Sequence, residues 1–228
     1  MSGPRPRGLR VALFDYGAGN LHSLGKALVA AGADVRVTAS WSEALELDAM
    51  VLPGVGAFGQ AARALPDDRR GLRRALEAGH PCLGICLGMQ LLLDGSAESD
   101  GMGIGLVGGR VEALDAPVVP QMGWNDVELS ADPLFAGFDG LVAYYANSYA
   151  CVPSEAGDVI AWSEYGGQRH AAAVRRANTW GVQFHPEKSS APGLRLIANF
   201  VAAAEAARTE ATRTAAATRA ARSTAGES

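Results

Sequence analysis

Short apolar runs alternate with segments of helical periodicity along the first part of the chain, and this alternation constrains the fold more than any other feature. Four of the runs have the length of buried strands. They cover residues 9–14, 35–38, 49–52 and 82–85. Helical spacing follows three of them, over residues 21–31, 57–78 and 87–93. The alternation predicts parallel strands covered by helices on both faces of the sheet.

The second half of the chain has a different pattern. Residues 104–182 contain mostly short strand-like runs separated by turn signals, and residues 193–204 have the spacing of a closing helix. We therefore predict an α/β fold with three layers. It has a mainly parallel central sheet, helices on both faces of that sheet, and an added mixed or antiparallel portion.

The 228 residues, of which 48% are hydrophobic, suit one domain of ordinary size. We place the catalytic domain at residues 9–204, after a short leader, residues 1–8, that is predicted to be disordered. Residues 205–228 are almost wholly Ala, Thr, Arg, Glu and Ser, so this tail cannot bury enough apolar surface to offset its ordering entropy. The tail is predicted to be disordered or an isolated helix.

The composition argues against several functions. The net charge is −4 and no basic stripe interleaved with aromatics is present, which argues against a nucleic-acid partner. The longest nearly apolar stretch, residues 81–93, is too short to cross a membrane, which takes about 20 apolar residues. The three cysteines form an odd, sparse set that fits a reducing compartment, so we expect the protein in the cytoplasm.

Cys86 lies between Gly84 and Gly88, where an apolar strand meets an apolar helix. This is the context of a nucleophile elbow with cysteine in place of serine, in which the glycines relieve crowding. A thiol at the first turn of a helix faces unpaired N–H groups and the positive end of the helix dipole, which favour its thiolate form. A lone cysteine is more often a small buried hydrophobe, but the paired glycines favour a nucleophile.

The sequence around His185 supplies a base for that nucleophile. His185 ends a strand, Pro186 biases it toward an extended backbone, and Glu187 follows two residues later. Extended geometry puts both side chains on one side, so that the carboxylate accepts from one imidazole nitrogen while the other faces the thiol. A histidine beside a proline is, taken alone, more often structural. Together with the elbow it predicts a triad of Cys86, His185 and Glu187.

Acyl transfer also needs N–H donors aimed at the oxygen on which negative charge develops. The backbone N–H of Leu87, next to the nucleophile, is one candidate. The glycine-rich segment 53–58 follows a predicted strand, and its glycines let the backbone approach a substrate closely. We therefore take the N–H of Val55 as the second candidate, with Gly54 beside it.

Two glycine patterns compete with this interpretation. Residues 54–59 match the dinucleotide motif G-x-G-x-x-G, but Pro53 interrupts the strand-to-helix turn and no strand-ending acid follows about 20 residues later. Residues 15–20 resemble a second such loop, but His22 stands where a third glycine is required. The cysteines and histidines have no recognised zinc spacing, so we predict neither a metal nor a cofactor.

Longer stretches of the sequence resemble a known family. The segments GICLGMQ around Cys86 and GVQFHPEKS around His185 resemble those of the triad, or class I, glutamine amidotransferases. Within that class, the segments FDYGAGN, LPGVGAFG, PQMGWN and NSY resemble the glutaminase subunits of imidazole glycerol phosphate synthases. The matches extend over about residues 9–200 and imply a flavodoxin-like fold.

The resemblance implies a reaction and a partner. Cys86, His185 and Glu187 match the triad that hydrolyses glutamine to glutamate and ammonia. The ammonia would pass to a cyclase subunit, a β/α barrel, in a heterodimer. There it would combine with a phosphoribulosyl-formimino carboxamide nucleotide to give imidazole glycerol phosphate and an aminoimidazole carboxamide ribonucleotide, a step of histidine biosynthesis. Segment 53–56 would become oriented only after the partner binds its own ligand, which couples the two sites.

The resemblance also implies which residues hold glutamine, with Glu98 neutralising the ammonium group of the substrate. They are Gly54, Gln90, Glu98, Ser148 and Tyr149. Asn147 departs from the family, in which histidine is usual at this position.

The surface for the partner is expected on the face that bears the active site. Trp124, Asn125 and Tyr144 are the candidates, because tryptophan and tyrosine make good interface anchors. Packing in the core is the alternative for Trp124.

Two other functions stay open at the level of sequence. The first is a glutaminase that serves a synthase of anthranilate, aminodeoxychorismate or pyridoxal phosphate, against which the segments PQMGWN and FDYGAGN argue. The second is a non-catalytic relative that acts as a regulatory or binding subunit, because a fold alone does not establish function. The intact residues Cys86, His185 and Glu187 argue against the second.

Overall fold

The computed structural model describes residues 8–17 and 21–225. The strands in this part of the chain are β1 (Arg10–Phe14), β2 (Asp34–Thr38), β3 (Ala49–Leu52), β4 (Cys82–Ile85), β5 (Gly95–Ser96), β6 (Gly109–Ala113), β7 (Gln121–Leu129), β8 (Leu141–Asn147), β9 (Tyr149–Pro153), β10 (Val159–Tyr165), β11 (Gln168–Arg176) and β12 (Thr179–Val182). The helices are α1 (Leu21–Ala30), α2 (Trp41–Glu46), α3 (Phe58–Arg63), α4 (Arg69–Glu77), α5 (Leu87–Gln90) and α6 (Ser190–Ala225).

The large sheet has the strand order β2-β1-β3-β4-β12-β11-β10-β7-β8 among the described residues. Neighbouring strands are parallel from β2 to β12 and antiparallel from β12 through β11, β10 and β7 to β8. A smaller sheet has the order β5-β6-β9. The predicted fold, a mainly parallel sheet with an added antiparallel portion, is confirmed.

Helices cover the parallel strands on both faces, as predicted. One apolar cluster contains Leu13, Ile85 and Trp180 from the strands with Leu196 and Phe200 from α6. The other lies on the opposite face and joins strand residues to α3, α4 and α5. Since side chains alternate along a strand, β1, β3 and β4 contribute to both cores, which explains why β3 and β4 are apolar and buried throughout.

Strand order brings the expected site residues to one edge. Strands β3, β4 and β12 are adjacent and parallel, with Leu52 paired to Gly84 and Ile85 paired to Val182. Their carboxyl ends therefore lie together, and the segments that carry Gly54, Cys86 and His185 leave the sheet at the same edge. Ligands of open parallel sheets bind at this edge.

Two predicted helices differ in the structure. Residues 57–78 form two helices, α3 and α4, because Pro66 interrupts the pattern and Asp68 starts a new helix by accepting a hydrogen bond from the N–H of Gly71 at 2.9 Å. The prediction of one helical segment is wrong. The helix predicted over 87–93 ends at Gln90, because the carbonyls of residues 91–93 accept from N–H groups of residues 104–107.

The predicted closing helix is longer than expected. Helix α6 includes residues 193–204 and continues without a break through residues 205–225, where alanine favours helix. The side chain of Arg208 lies 3.6 Å from Asp48. Residues 1–7 of the predicted leader and the last three residues of the tail lie outside the described residues. No helix within 8–17 and 21–225 combines the length and apolarity needed to cross a membrane.

Candidate active site

Cys86 stands in a sharp turn between β4 and α5. Its backbone has φ 46° and ψ −100°, a conformation that residues with a side chain rarely adopt. A Cβ added at Gly84 would lie 2.5 Å from the carbonyl oxygen of Gly88, and a Cβ added at Gly88 would overlap the carbonyl oxygen of Leu52. Both flanking glycines are thus required for this turn, as the elbow pattern predicts.

The structure brings the three residues of the expected triad together. Nδ1 of His185 lies 2.9 Å from Oε1 of Glu187, and the Cys86 thiol is close enough to the imidazole to raise its pKa. His185 is only 2% exposed and Cys86 only 6%. The backbone of His185 is extended, but Pro186–Lys188 is a short 3-10 helix, so the carboxylate reaches the imidazole through this turn and not through strand alternation.

Burial and two neighbouring side chains shift the pKa of His185. Burial lowers the pKa of the imidazole, but its contacts with Cys86 and Glu187 raise it, and the pKa comes to about 9. The backbone N–H of His185 donates to the carbonyl of Tyr144 at 2.8 Å, and the Ser189 hydroxyl donates to the His185 carbonyl at 2.7 Å. The backbone of His185 is therefore held in place, while its surroundings favour the protonated imidazole.

Replacement of Glu187 with glutamine is expected to flatten the dependence of stability on pH. Because the pKa of His185 is raised from 6.5 to about 9, its stabilisation is fully present below pH 6.5 and is lost as pH rises through about 9. Over this interval the free energy of unfolding should fall by about 1–3 kcal/mol more in the original protein than in the variant. Urea unfolding at pH 6.5 and pH 9 measures this difference.

The matched control replaces an exposed carboxylate, as in Glu164→Gln, which should leave the dependence on pH unchanged. Equal losses of stability in the original protein and the Glu187→Gln variant would show that Glu187 does not hold the imidazolium.

A cavity of about 290 Å³ opens beside the triad. Its wall includes Cys86 and His185, and it also includes all five residues expected to hold glutamine, namely Gly54, Gln90, Glu98, Ser148 and Tyr149. The expected oxyanion residues Val55 and Leu87 line the same cavity. Leu87 is the first residue of α5, and the first N–H groups of a helix have no partner within it.

Hydrogen bonds fix two parts of the cavity wall. Oε2 of Glu98 accepts from the N–H of Phe58 at 2.8 Å, which ties this carboxylate to the start of α3. On the other side, the carbonyl of Tyr149 accepts from Nε2 of Gln90 at 3.4 Å and from Nδ2 of Asn147 at 3.1 Å. Asn147 thus orders the loop after β8 through its amide.

The structure reveals site residues that the sequence interpretation missed. Lys188 and Gly56 line the cavity, and Nε2 of Gln183 lies 3.5 Å from the sulfur of Cys86. Lys188 and Gln183 stand within the GVQFHPEKS segment, so their closeness to His185 in sequence was a usable signal. The contact between Gln183 and Cys86 joins residues far apart in the chain and left no such signal.

The expected partner residues do not all share one face. Trp124 is 54% exposed and stacks edge-on against Tyr144 with ring centroids 6.0 Å apart, so Trp124 is not part of the core. Asn125, the next residue of β7, points to the opposite face, where its Nδ2 donates to the carbonyl of Glu164 at 2.8 Å. Met122 and Val142 extend the exposed side of Trp124 and Tyr144.

The glycine motif of residues 54–59 contributes Gly54, Val55 and Gly56 to the cavity wall. A Cβ added at Gly54 would lie 3.1 Å from both Cβ of Cys86 and Cε1 of His185, and one added at Gly59 would lie 2.7 Å from Oγ of Ser99. Gly54 therefore permits close packing against the triad, and Gly59 permits close packing against Ser99. In the part of the chain that the structure describes, no three His, Cys, Asp or Glu side chains form a group able to hold a metal ion.

Comparison with known proteins agrees with this geometry. A family model described as "Glutamine amidotransferase class-I" matches residues 12–204, and this is the class that the sheet and the cysteine elbow define. A solved structure of a glutamine amidotransferase superposes with a TM-score of 0.68 at 19% identity and covers 87% of this chain and 100% of that one. The PurLQS structure from Thermotoga maritima also gives a TM-score of 0.68, at 18% identity over 86% of this chain and 98% of that one. At these identities the two structures show the fold alone.

Sequence relatives are more specific. The imidazole glycerol phosphate synthase subunit HisH of Halobacterium salinarum is 42% identical over 209 residues, which cover 88% of this chain and 96% of that protein. The subunit of the same name from Nocardia farcinica is 46% identical over 207 residues, which cover 84% of this chain and 96% of that protein. The chain therefore belongs to the class-I glutamine amidotransferase family, in the branch of the HisH subunits of imidazole glycerol phosphate synthase. It is an enzyme of the glutamine amidotransferase type.

Proposed function

We propose that this chain hydrolyses glutamine through a thioester on Cys86 and passes the ammonia to the cyclase subunit of imidazole glycerol phosphate synthase, in histidine biosynthesis. One observation carries the proposal. A cysteine in a strained elbow contacts a buried histidine, which is paired with a glutamate at 2.9 Å, beside a cavity of about 290 Å³. The HisH relatives support the particular pathway and the particular partner.

The chemistry begins with transfer of the Cys86 proton to His185. The thiolate attacks the carboxamide carbon, so that an S–C bond forms and negative charge develops on the amide oxygen. The N–H groups of Leu87 and Val55 stabilise that charge. The C–N bond then breaks, with His185 returning the proton to the departing ammonia, and water attacks the thioester to release glutamate. Glu187 orients the imidazole and stabilises its charged form.

The cavity wall supplies the groups that hold glutamine. We assign Glu98 to the ammonium group of the substrate, because it brings a carboxylate to the wall and is held there by the N–H of Phe58. Gln90, Ser148 and Tyr149 also line the wall and provide amide, hydroxyl and backbone partners. Gly54 leaves room for the substrate chain between the nucleophile and the base.

We assign the cyclase to an exposed apolar surface that adjoins the active site. This aromatic surface consists of Met122, Trp124, Val142 and Tyr144. Its link to the site is short, since the carbonyl of Tyr144 accepts from the N–H of His185 and Ala146, on the same strand, lines the cavity. Exposed aromatic side chains in a contiguous apolar patch are typical of interface anchors. Ammonia released at Cys86 would therefore emerge beside the partner.

The products and the cellular compartment are also part of the proposal, and the HisH relatives support them. The partner would combine ammonia with the formimino carboxamide ribonucleotide and release imidazole glycerol phosphate and an aminoimidazole carboxamide ribonucleotide. Cys82, Cys86 and Cys151 are all free and buried, which fits our placement of the enzyme in the cytoplasm.

Glutamate release in the presence and absence of a cyclase subunit tests the proposal. We expect hydrolysis to rise at least about tenfold when the cyclase and its nucleotide ligand are both present, because the coupling of two sites is typically a factor of 5–150. Trp124→Asp should weaken the complex by roughly thirtyfold, as for loss of an interface anchor. Val152→Asp, which changes an exposed apolar residue of the smaller sheet, is the matched control. If glutamine is hydrolysed at the same rate with and without the cyclase, the proposed partnership is refuted.

We place the catalytic unit at residues 9–204 and treat residues 205–228 as an appendage to α6. Support comes from the family model, which ends at residue 204, and from Phe200 and Ala204, beyond which none of the helix side chains that the structure describes is buried. Deletion of residues 209–228 retains Arg208 and should leave the melting temperature within a few degrees and glutamine hydrolysis by the complex unchanged. A loss of activity beyond threefold would assign a function to the tail.

A further inference from the structure

Gln183 is a buried polar residue in direct contact with the nucleophile. It follows β12, is 0% exposed, and its Nε2 lies 3.5 Å from the sulfur of Cys86. Its backbone N–H donates to the carbonyl of Ala172 at 2.9 Å, so the antiparallel strand β11 fixes its position. No step of the proposed mechanism uses Gln183.

Nε2 of the Gln183 side chain has a hydrogen-bond partner, but its Oε1 has none among the described residues, although the atom is buried. Most buried side-chain oxygens are satisfied, so an unsatisfied one at a reactive centre asks for an explanation. The amide is held where its N–H reaches the sulfur of Cys86. In this position its oxygen has no hydrogen-bond partner among the described residues.

An amide has the properties that a buried thiolate needs. It donates hydrogen bonds, it is neutral, and it does not compete for the proton that Cys86 gives to His185. When Cys86 is protonated, the same side chain can turn its oxygen toward the S–H, because the two ends of an amide are similar in shape. Gln183 can therefore serve both protonation states of the nucleophile.

We propose that Gln183 is a further catalytic residue, which stabilises the Cys86 thiolate by donating a hydrogen bond to its sulfur. This inference rests on the proposed role of Cys86 as nucleophile. Gln183 and His185 both lie just after the end of β12, so the same segment brings the donor and the base to the nucleophile. The thiolate is thus held by an imidazolium and by a neutral donor.

Other titratable groups lie around the cavity that Cys86 lines. His185, Glu98, Tyr149 and Lys188 line the same cavity. Cys151 is also near Cys86; burial raises the pKa of its thiol far above the usual range, and the charge of Cys86 raises it further. A neutral replacement at position 183 leaves all of these groups in place, so it isolates the effect of the amide.

The test follows the rate of Cys86 alkylation by iodoacetamide as a function of pH, with mass spectrometry to identify the modified cysteine. In Gln183→Met, which keeps the length and removes the donor, the pH of half-maximal rate should rise by about one unit, the effect of losing a hydrogen bond to a charged group. In Gln183→Glu the rise should be larger, because a carboxylate repels the thiolate. Gln121→Met, at another buried glutamine that does not line the cavity, should leave the midpoint unchanged.

The possible outcomes separate this inference from the proposed function. If Cys86 of the original protein is not modified in preference to Cys82 and Cys151, the role of Cys86 as nucleophile fails. If Cys86 is modified but Gln183→Met and Gln121→Met share the original midpoint, only the role of Gln183 fails. The midpoint is measured on folded protein, as judged by circular dichroism. If Gln183→Met does not fold, Gln183→Asn replaces it, since the shorter amide no longer reaches the sulfur and should give the same upward shift.

Discussion

Replacement of Cys86 with alanine is expected to lower glutamine-dependent turnover of the complex by more than roughly three orders of magnitude, the scale on which loss of a catalytic nucleophile acts. The thioester cannot form without the sulfur, and no other thiol can take its place. Cys82 and Cys151 are fully buried, and burial raises the pKa of both thiols far above the usual range, so both stay protonated and inert.

The same variant should keep ammonia-dependent turnover. Ammonia supplied in solution bypasses the glutaminase step, while alanine preserves the fold around the elbow and leaves the aromatic surface untouched. The measurement compares product formation with glutamine and with ammonium salt as nitrogen donor. Cys151→Ala, which also removes a buried thiol near the site, is the control and should retain glutamine use. Persistent use of glutamine by the Cys86→Ala complex would require another nucleophile and would end the proposed mechanism.

A single methyl group at position 54 is expected to reduce glutamine hydrolysis by roughly a hundredfold or more, the cost of displacing catalytic groups by about 1 Å. In Gly54→Ala the new carbon would lie 2.8 Å from the carbonyl oxygen of Ile85 and 3.1 Å from both Cβ of Cys86 and Cε1 of His185. The contact with the carbonyl oxygen is shorter than a Cβ atom adopts, and the two carbon contacts are tighter than most, so the thiol and the imidazole must shift or the loop must withdraw.

The prediction for Gly54 concerns the catalytic constant more than overall stability. Glutamate release under saturating substrate gives the catalytic constant, and thermal unfolding reports the fold. Gly25→Ala is the matched control, because Gly25 lies within α1 and its new methyl group would be 3.7 Å from Leu13, an ordinary contact. That control should keep full activity and gain about 0.5–1 kcal/mol in stability. If Gly54→Ala were fully active, close packing between the glycine loop and the triad would not matter for catalysis.

The elbow shows how closely local sequence and tertiary structure depend on one another. Gly84 and Gly88 permit the turn at Cys86, but the turn is needed because the first residues of α5 pack against the carbonyl of Leu52 on the adjacent strand β3. The strain at Cys86 is sustained by this packing. Positions of this kind are stable only where the surrounding structure determines the backbone.

The antiparallel portion of the sheet connects the catalytic site to the aromatic surface. Strand β8 places Tyr144 on the exposed side and Tyr145 on the buried side, where the hydroxyl groups of Tyr145 and Ser163 lie 2.6 Å apart. The alternation of side chains thus lets one strand contact His185 through its backbone, present an aromatic ring to solvent and anchor itself in the core. A partner bound to the aromatic surface would touch the strand that supports the base.

Local patterns in the sequence were enough to predict most of the fold. The apolar runs at 49–52 and 82–85 coincide with β3 and β4, because a strand that is buried on both faces needs an uninterrupted apolar sequence. The segment 57–78 was mistaken for one helix, although Pro66 marks the break. The extension of α6 was not expected either, since a helix without an apolar face draws its stability from the propensity of alanine and from the packed helix that it continues.

The sequence by itself determined the elbow, the extended backbone at His185 and the class of chemistry, because each depends on residues within a few positions of one another. Only the tertiary structure decided which groups meet. Gln183 reaches Cys86 and Gly54 packs between the nucleophile and the base because β3, β4 and β12 lie side by side, and Asn125 is turned away from Trp124 by the pleat of β7. Contacts of this kind join distant parts of the chain through strand order and register, and neither local composition nor spacing encodes them.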